Sequence, residues 1–284
     1  MTGRLAGIRC RWAVLAALVV LSATARGDGP RPNRAVSAGD DLTFRPTVIV
    51  VRGTSQGSGT VIASIPGETL VLTAAHVVDS VGDAFIEVHR YNLGLETKRG
   101  SEGWPKKVPA MVIATDPASD VAVLRVEGFQ AMPYVARVLE GLGEPESGSV
   151  VTSVGVDRGV KLSGWPTRIV EVASIDMEKG GGVRPFLLTE TAPDFGRSGG
   201  GLFSTDGAVV GVCVGRAEVV KGRRVGVFTS TASVRRLLRE HHLDFNISRS
   251  VARRLPRNGP VERTRNSVPP PPVPTPRPPI PRTR

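Results

Sequence analysis

The chain has 284 residues, with 37 lysines and arginines against 26 acids, a formal net charge of +11, 33 glycines, 23 prolines and two cysteines. The charge excess sits at the ends: Arg4, Arg9 and Arg11, together with nine arginines set against Glu262 in 249–284, account for all of it. The neutral body between them argues against a nucleic-acid-binding domain, and two cysteines exclude a disulfide-dense scaffold.

The first segment, Met1–Arg11, is basic; the apolar run Trp12–Leu21 and then "SATARG", with small residues at Ala23 and Ala25, come after it. This is the layout of a secretory signal peptide over 1–25. A run of ten residues is too short for a membrane span, which needs roughly 20. Cleavage near Ala25 and export to the periplasm or the exterior are expected. Cys10 would leave with that segment. Cys213, in "VVGVCVG", fits a buried strand, where it acts as a small core hydrophobe. Residues 26–44 are polar and Gly/Pro-rich and read as a flexible lead-in.

Short β-branched runs then begin. Strands are expected at 47–52, 59–64, 69–73, 84–89, 108–115 and 120–126, within a first unit of 45–127. Residues 128–147, broken by Gly, Pro and acids, read as a connection. A second unit, 148–245, carries strands at 149–156, 167–175, 184–189, 207–215 and 223–230. One amphipathic helix over 232–242 closes it, with apolar residues at 234, 237 and 238. This pattern predicts an all-β fold of two packed barrels or sandwiches. From 249 to 284 the Pro/Arg-rich composition cannot bury a core, so a disordered tail with polyproline II character is expected.

Within the second unit, "FGRSGGGLF" (195–203) surrounds Ser198 with glycines. A serine hydroxyl becomes a useful nucleophile only when a base takes its proton and a third group orients that base. His241 and His242 lie at the end of the closing helix, and His89 alternates with apolar residues and is expected to face solvent. His76 comes after "VLTAA" and starts a short helical stretch, which makes it the candidate base. Asp120 opens the apolar strand "DVAVLRV", where a buried carboxylate needs a donor such as imidazole Nδ1–H. Asp116, before Pro117, reads as a turn former, and Asp79 is the poorer orienting acid. The glycines allow backbone N–H groups of Gly196 and Ser198 to face a developing oxyanion.

"SGTVI…LVLTAAHVVD", "DPASDVAVLRV" and "GRSGGGLFSTDGAVVGV" resemble the His, Asp and Ser blocks of the trypsin/chymotrypsin superfamily, in its order. They look most like those of bacterial HtrA-type serine proteases. The resemblance covers about residues 45–243. It implies two six-stranded antiparallel β-barrels with a C-terminal helix, and a secreted or periplasmic endopeptidase working through His76, Asp120 and Ser198. It also implies an oxyanion hole at Gly196 and Ser198, and a substrate-pairing strand at Val214, Gly215 and Arg216. Ala192, Gly226 and Val227 would line a neutral pocket that prefers small or medium apolar residues before the cut. No metal and no cofactor are implied. Polypeptides are the expected partners, and the basic tail suits an anionic envelope surface; oligomeric state is not legible.

Three departures accompany the resemblance. Arg197 stands where the family usually has Asn or Asp, so the acid that pairs with a new N-terminus in trypsin-like zymogens is missing. An "IVGG"-like start is lacking, and beyond residue 248 there is no room for a PDZ domain. Two rival readings compete with it. "GRSGG" also matches a G-x-S-x-G nucleophile elbow, with Asp206 and His241 as partners, provided that a helix comes directly after the serine. The other is a catalytically inactive protease fold serving as a binding module, with Arg197 distorting the oxyanion loop.

Overall fold

The computed structural model describes residues 40–95, 103–140, 144–159, 161–177, 182–219, 223–244 and Ile247. The expected signal segment, most of the lead-in and the Pro/Arg-rich tail lie outside the described residues. Strands β1 (Thr47–Arg52), β2 (Ser55–Ile65), β3 (Glu68–Thr73), β4 (Ala84–Val88), β5 (Lys106–Asp116) and β6 (Val121–Glu127) form a closed antiparallel barrel in the order β1-β2-β3-β6-β5-β4. The second sheet contains β7 (Arg137–Val138), β8 (Val150–Asp157), β9 (Lys161–Met177), β10 (Gly182–Thr189), β11 (Gly201–Ser204), β12 (Ala208–Val219) and β13 (Arg223–Ser230). Its order is β11-β8-β9-β10-β13-β12, with a further β11–β12 pairing that joins the two ends and β7 added parallel to β12. Helix α1 (Thr231–Glu240) begins directly after β13.

The strands β3 and β6 show why "TLVLT" and "DVAVLRV" read as nearly continuous apolar runs. Side chains alternate across a strand, and here both faces are buried. Val71, Ala122, Leu124 and Val126 point into the first barrel with Val48, Val50, Val61 and Ile86. Leu70, Leu72, Val121 and Val123 instead meet Phe203, Val209, Val212 and the α1 residues Val234, Leu237 and Leu238. The outer face of one barrel thus packs on the other. The second barrel holds its own core of Val151, Ile169, Leu187, Leu202, Val210, Cys213 and Phe228. Helix α1 starts where Ser230 accepts a hydrogen bond from the Ser233 N–H at 3.4 Å, an N-cap.

Each expected strand falls on an observed one. The short strand β7 was not expected, and β9 begins at Lys161 rather than 167. Pro166 and Gly164 discourage a strand assignment locally, but β8 pairs with them in register, Thr152 opposite Pro166 and Val154 opposite Gly164. The connection after β6 is docked rather than loose: Met132 N–H donates to Ser64 Oγ at 2.8 Å, Ala136 N–H to the Val61 carbonyl at 2.8 Å, and Leu139 N–H to the Val209 carbonyl at 2.9 Å. The first element after Ser198 is the strand β11, so the helix that a nucleophile elbow demands is not there.

Leu237 is 1% exposed in the cluster that joins α1 to both barrels. Leu237→Ala is expected to lower unfolding free energy by about 2–5 kcal/mol, read as a reduced urea midpoint.

Candidate active site at the seam between the barrels

His76 sits in a 3₁₀ turn, Ala75–Val77, immediately after β3. Ala74 and Ala75 are buried, so the turn lies flat against the barrel wall. Asp120 lies just before β6 and is 7% exposed, with φ of 51°. Non-glycine residues rarely take that conformation, and Asp is one of the few that tolerate it. Both carboxylate oxygens reach His76: Oδ2 lies 2.6 Å from Nδ1, and Oδ1 accepts the His76 backbone N–H at 2.9 Å. The second bond ties the carboxylate to the same residue whose ring it faces, which restrains ring rotation. Asp79, the other acid considered, is exposed.

The turn that carries Asp120 is held from the second barrel. Thr229 Oγ1 on β13 donates to the Ser119 carbonyl and also lies 3.5 Å from the Asp120 carbonyl. Asp116 caps the turn by accepting from Ala118 N–H at 3.1 Å and Ser119 N–H at 3.3 Å. Arg236 of α1 donates to the Asp116 carboxylate and, at 2.9 Å, to Ser119 Oγ. Arg184 of β10 approaches Asp116 at 3.8 Å. Burial pushes the Asp116 carboxyl upward, but donors from Ser119 and Arg236 and the charge of Arg236 together outweigh it, so its pKa lies below the usual value.

Ser198 is fixed from both barrels. Its carbonyl accepts from Ser58 N–H of β2 at 2.7 Å, and the next residue, Gly199, donates to the Cys213 carbonyl at 2.7 Å. Gly199, at φ +84°, could carry no side chain: a Cβ would lie 2.1 Å from the Ser58 carbonyl oxygen and 2.9 Å from the Ala74 nitrogen, two residues before His76. The serine loop is therefore in contact with the segment that leads to the histidine. The Ser198 hydroxyl donates to the Val214 carbonyl at 3.3 Å. Register along β12 and β13 shifts between Cys213 and Gly215, so Val214 is bulged out of the ladder and its carbonyl is turned to the cleft.

The loop before Ser198 has its carbonyls tied down. Phe195 O accepts from Arg158 N–H at 2.7 Å, Gly196 O from Ser58 Oγ at 2.9 Å, and Arg197 O from Gly200 N–H at 2.9 Å. In a trans peptide the N–H points opposite the carbonyl. The Gly196 and Ser198 N–H groups thus face away from Arg158 and Gly200, and neither has an acceptor among the described residues. Gly196, at φ +86°, makes this possible, because a Cβ would lie 2.8 Å from the Val156 carbonyl oxygen.

The expected pocket residues come from β12, β13 and the segment after β10. Arg216 and Gly226 are cross-strand partners, as are Gly215 and Val227; Thr189 pairs with Gly226 from the other side. Ala192 comes after β10 and is half-buried. The space beside Gly226 belongs to Thr189 and Thr191, whose Oγ1 and carbonyl oxygen a Cβ would meet at 2.3 and 2.7 Å. Val227 packs with Ala173, Leu188 and Val225. Arg216 folds its guanidinium over the Phe195 ring, 4.7 Å from its centre, and that ring is 72% exposed. Phe195 and Thr189 were not singled out in the sequence, although Phe195 lies within the glycine loop.

Other candidates fall away. Burial pushes the Cys213 thiol up to about 12, so at neutral pH it is an inert core group. His241 and His242 are exposed at the end of α1. His89 differs from expectation: β4 ends at Val88, and His89 caps a 3₁₀ turn, half-buried and stacked on Tyr91 at 5.3 Å. Its N–H donates to Asn92 Oδ1 at 2.7 Å, and this local bond ends the alternation on which the solvent-facing expectation rested. Among the described residues no cluster of three or more His, Cys, Asp or Glu could hold a metal ion.

Two barrels with a His–Asp pair and a glycine-flanked serine loop at their seam define a trypsin-like fold. The family model for the trypsin-like peptidase domain matches residues 57–212, and the chain belongs to that family. "Putative protease Do-like 14" of Arabidopsis thaliana is 28% identical over 173 residues, covering 60% of this chain and 38% of that protein. A "Probable periplasmic serine endoprotease DegP-like" of Ectopseudomonas mendocina is 31% identical over 158 residues, covering 56% and 29%. The chain thus spans little more than a third of the length of these curated relatives, or less. Among solved structures, the Rv3671c protease of M. tuberculosis in its active form aligns with a TM-score of 0.55 at 22% identity, covering 78% of this chain and 93% of that one. The serine endoprotease from Yersinia pestis aligns with a TM-score of 0.54 at 19% identity, covering 74% and 68%. At such identities these two likenesses speak for the fold alone.

A carboxyl with a depressed pKa stabilises the fold above its unfolded value and loses that contribution as pH falls through its folded value. The melting-temperature difference between the native chain and Asp116→Asn is expected to be full above about pH 5 and to shrink steadily as the pH falls below the range of an unfolded carboxyl. A difference that does not change with pH would show that the Asp116 charge does not hold the turn.

Proposed function

We propose that this chain is an exported endopeptidase that cuts polypeptides through an acyl-enzyme, with Ser198 as nucleophile, His76 as base and then acid, and Asp120 as the group that orients the imidazole. The observation that carries this reading is the two-point attachment of Asp120 to His76 beside a serine loop rooted in both barrels. With the Nδ1 proton held by a carboxylate, the ring's lone pair is left on Nε2.

On this reading the Ser198 hydroxyl leaves the Val214 carbonyl by rotation about χ1 and donates to Nε2. Its oxygen bonds to the scissile carbonyl carbon as the proton passes to the imidazole, and the carbonyl electrons move to the oxygen facing the Gly196 and Ser198 N–H groups. Collapse of this intermediate breaks the C–N bond, and the imidazolium gives its proton to the departing amine. Water, deprotonated by the same imidazole, then attacks the ester and restores the serine. Val214, Gly215 and Arg216 hold the substrate backbone as an added strand, and the Val214 carbonyl becomes its acceptor.

The proposed specificity pocket, at Ala192, Gly226 and Val227, has no charged side chain among these positions, and Arg216 is turned onto Phe195. Val, Ala or Leu before the cut is therefore expected in a profile of cleaved peptide libraries; cleavage dominated by Arg, Lys or Glu at that position would overturn the assignment. The basic start and apolar run support export, and the arginines of 249–284 would hold the enzyme near anionic envelope polymers.

The test is labelling by a fluorophosphonate probe. The native chain should label and Ser198→Ala should not, while peptide hydrolysis by the variant falls by about 10⁴–10⁶ in kcat. A native chain that neither labels nor cleaves would instead support a binding module. The contact of the Ser198 hydroxyl with Val214 is the observation that favours that second reading.

A further inference from the structure

Arg197 immediately precedes Ser198, yet its side chain runs away from the cleft into the second barrel and is 0% exposed. Between residues 194 and 201 it is the one side chain rooted in the barrel: Asp194 and Phe195 are exposed, and apart from Ser198 the rest are glycines. Its guanidinium is held from three sides. Nε lies 3.0 Å from Asp157 Oδ1 and Nη2 lies 3.1 Å from Asp157 Oδ2, a forked pair. Nη1 donates to the Ser153 carbonyl at 3.1 Å and to the Ser163 carbonyl at 3.2 Å. Nη2 also donates to the Ser163 hydroxyl, which in turn donates to Asp157. The guanidinium carbon lies 3.4 Å from the centre of the Trp165 ring.

The neighbouring backbone is cut to fit this side chain. A Cβ on Gly155 of β8 would lie 2.8 Å from Arg197 Cγ, so the arginine stem occupies the space that any larger residue would need. Asp157 and Gly155 come from β8, and Ser163 and Trp165 from β9, so the clamp is assembled within one sheet.

Arg197 is wholly buried and the Asp157 side chain is 23% exposed, and the desolvation of the guanidinium offsets most of the attraction, so the pair is weak as a source of net stability. Its forked geometry, however, permits one arrangement, which lysine cannot reproduce. The glycines around Ser198 have no side chains with which to hold a loop whose amide directions matter. We propose that Arg197, through its pairing with Asp157, is a positioning residue that keeps the 195–199 loop with the Gly196 and Ser198 N–H groups turned to the cleft. This rests on the reading of Ser198 as nucleophile. Because both charges belong to the second barrel, the loop is ordered without a newly formed amino terminus.

The test compares the full-length native chain with Arg197→Met, Arg197→Lys and the double variant Arg197→Met/Asp157→Leu. Replacing both charges with apolar groups is expected to leave the melting temperature near the native value. In that double variant the rate of fluorophosphonate labelling and kcat should fall by about 100-fold, with KM changed by less than about threefold. Amide hydrogen exchange over 194–199 should quicken by at least about tenfold while the rest of both barrels is unchanged. Arg197→Lys should recover part of the rate. A double variant with native labelling and native exchange in 194–199 would overturn the proposal. If the native chain itself does not label, the nucleophile reading falls, and exchange decides this inference alone: faster exchange confined to 194–199 supports loop positioning, and unchanged exchange sinks it.

Discussion

A carboxylate that leaves water must find donors, and the burial of Asp120 is the constraint around which the seam between the barrels is arranged. Asp120 is almost wholly buried in a left-handed backbone conformation. Its side-chain demand is met within the first barrel, by the ring and backbone N–H of His76. Its backbone is held from the second barrel, where Thr229 reaches the Ser119 and Asp120 carbonyls. Removal of either partner would leave a polar group buried without compensation, a larger loss than the bond itself contributes. The Ser119–Asp120 turn thereby carries both the partner of the imidazole and a tie to the second barrel.

The serine loop obeys the same logic with a different cast. Ser198 is bonded through its carbonyl to β2 and through its neighbour Gly199 to β12, so it too straddles the seam. The apolar faces of β3 and β6 that meet Phe203, Val212 and α1 supply the bulk attraction between barrels, while these few polar bonds choose the register in which they meet. Hydrophobic burial is non-directional, so it cannot make that choice alone. The Arg197–Asp157 pair, whose guanidinium is buried and whose carboxylate is partly exposed, belongs to this second class: directional, modest in net energy, and local to the loop.

Several parts of this arrangement were legible along the chain. Alternation and β-branching located most strands, and the acid at the head of "DVAVLRV" stood out because a carboxylate beside an apolar run needs a partner. Local signals misled where tertiary pairing overrode them. Pro166 and Gly164 concealed the first half of β9, which β8 holds in register. His89 continued an apolar alternation, but Asn92 draws it into a cap. The glycine run that leads into β11 lacks side chains because backbones approach closely there.

By itself, the sequence determined the fold class, the neutral body between basic ends, and the kinds of residue available for chemistry, because periodicity and composition are properties of adjacent residues. Only the tertiary structure decided that Val214 bulges to present its carbonyl, and that Arg197 turns inward to Asp157 and Trp165. Those outcomes depend on which distant strands pair and on how far each carbonyl rotates. A residue's neighbours in the chain do not encode either quantity.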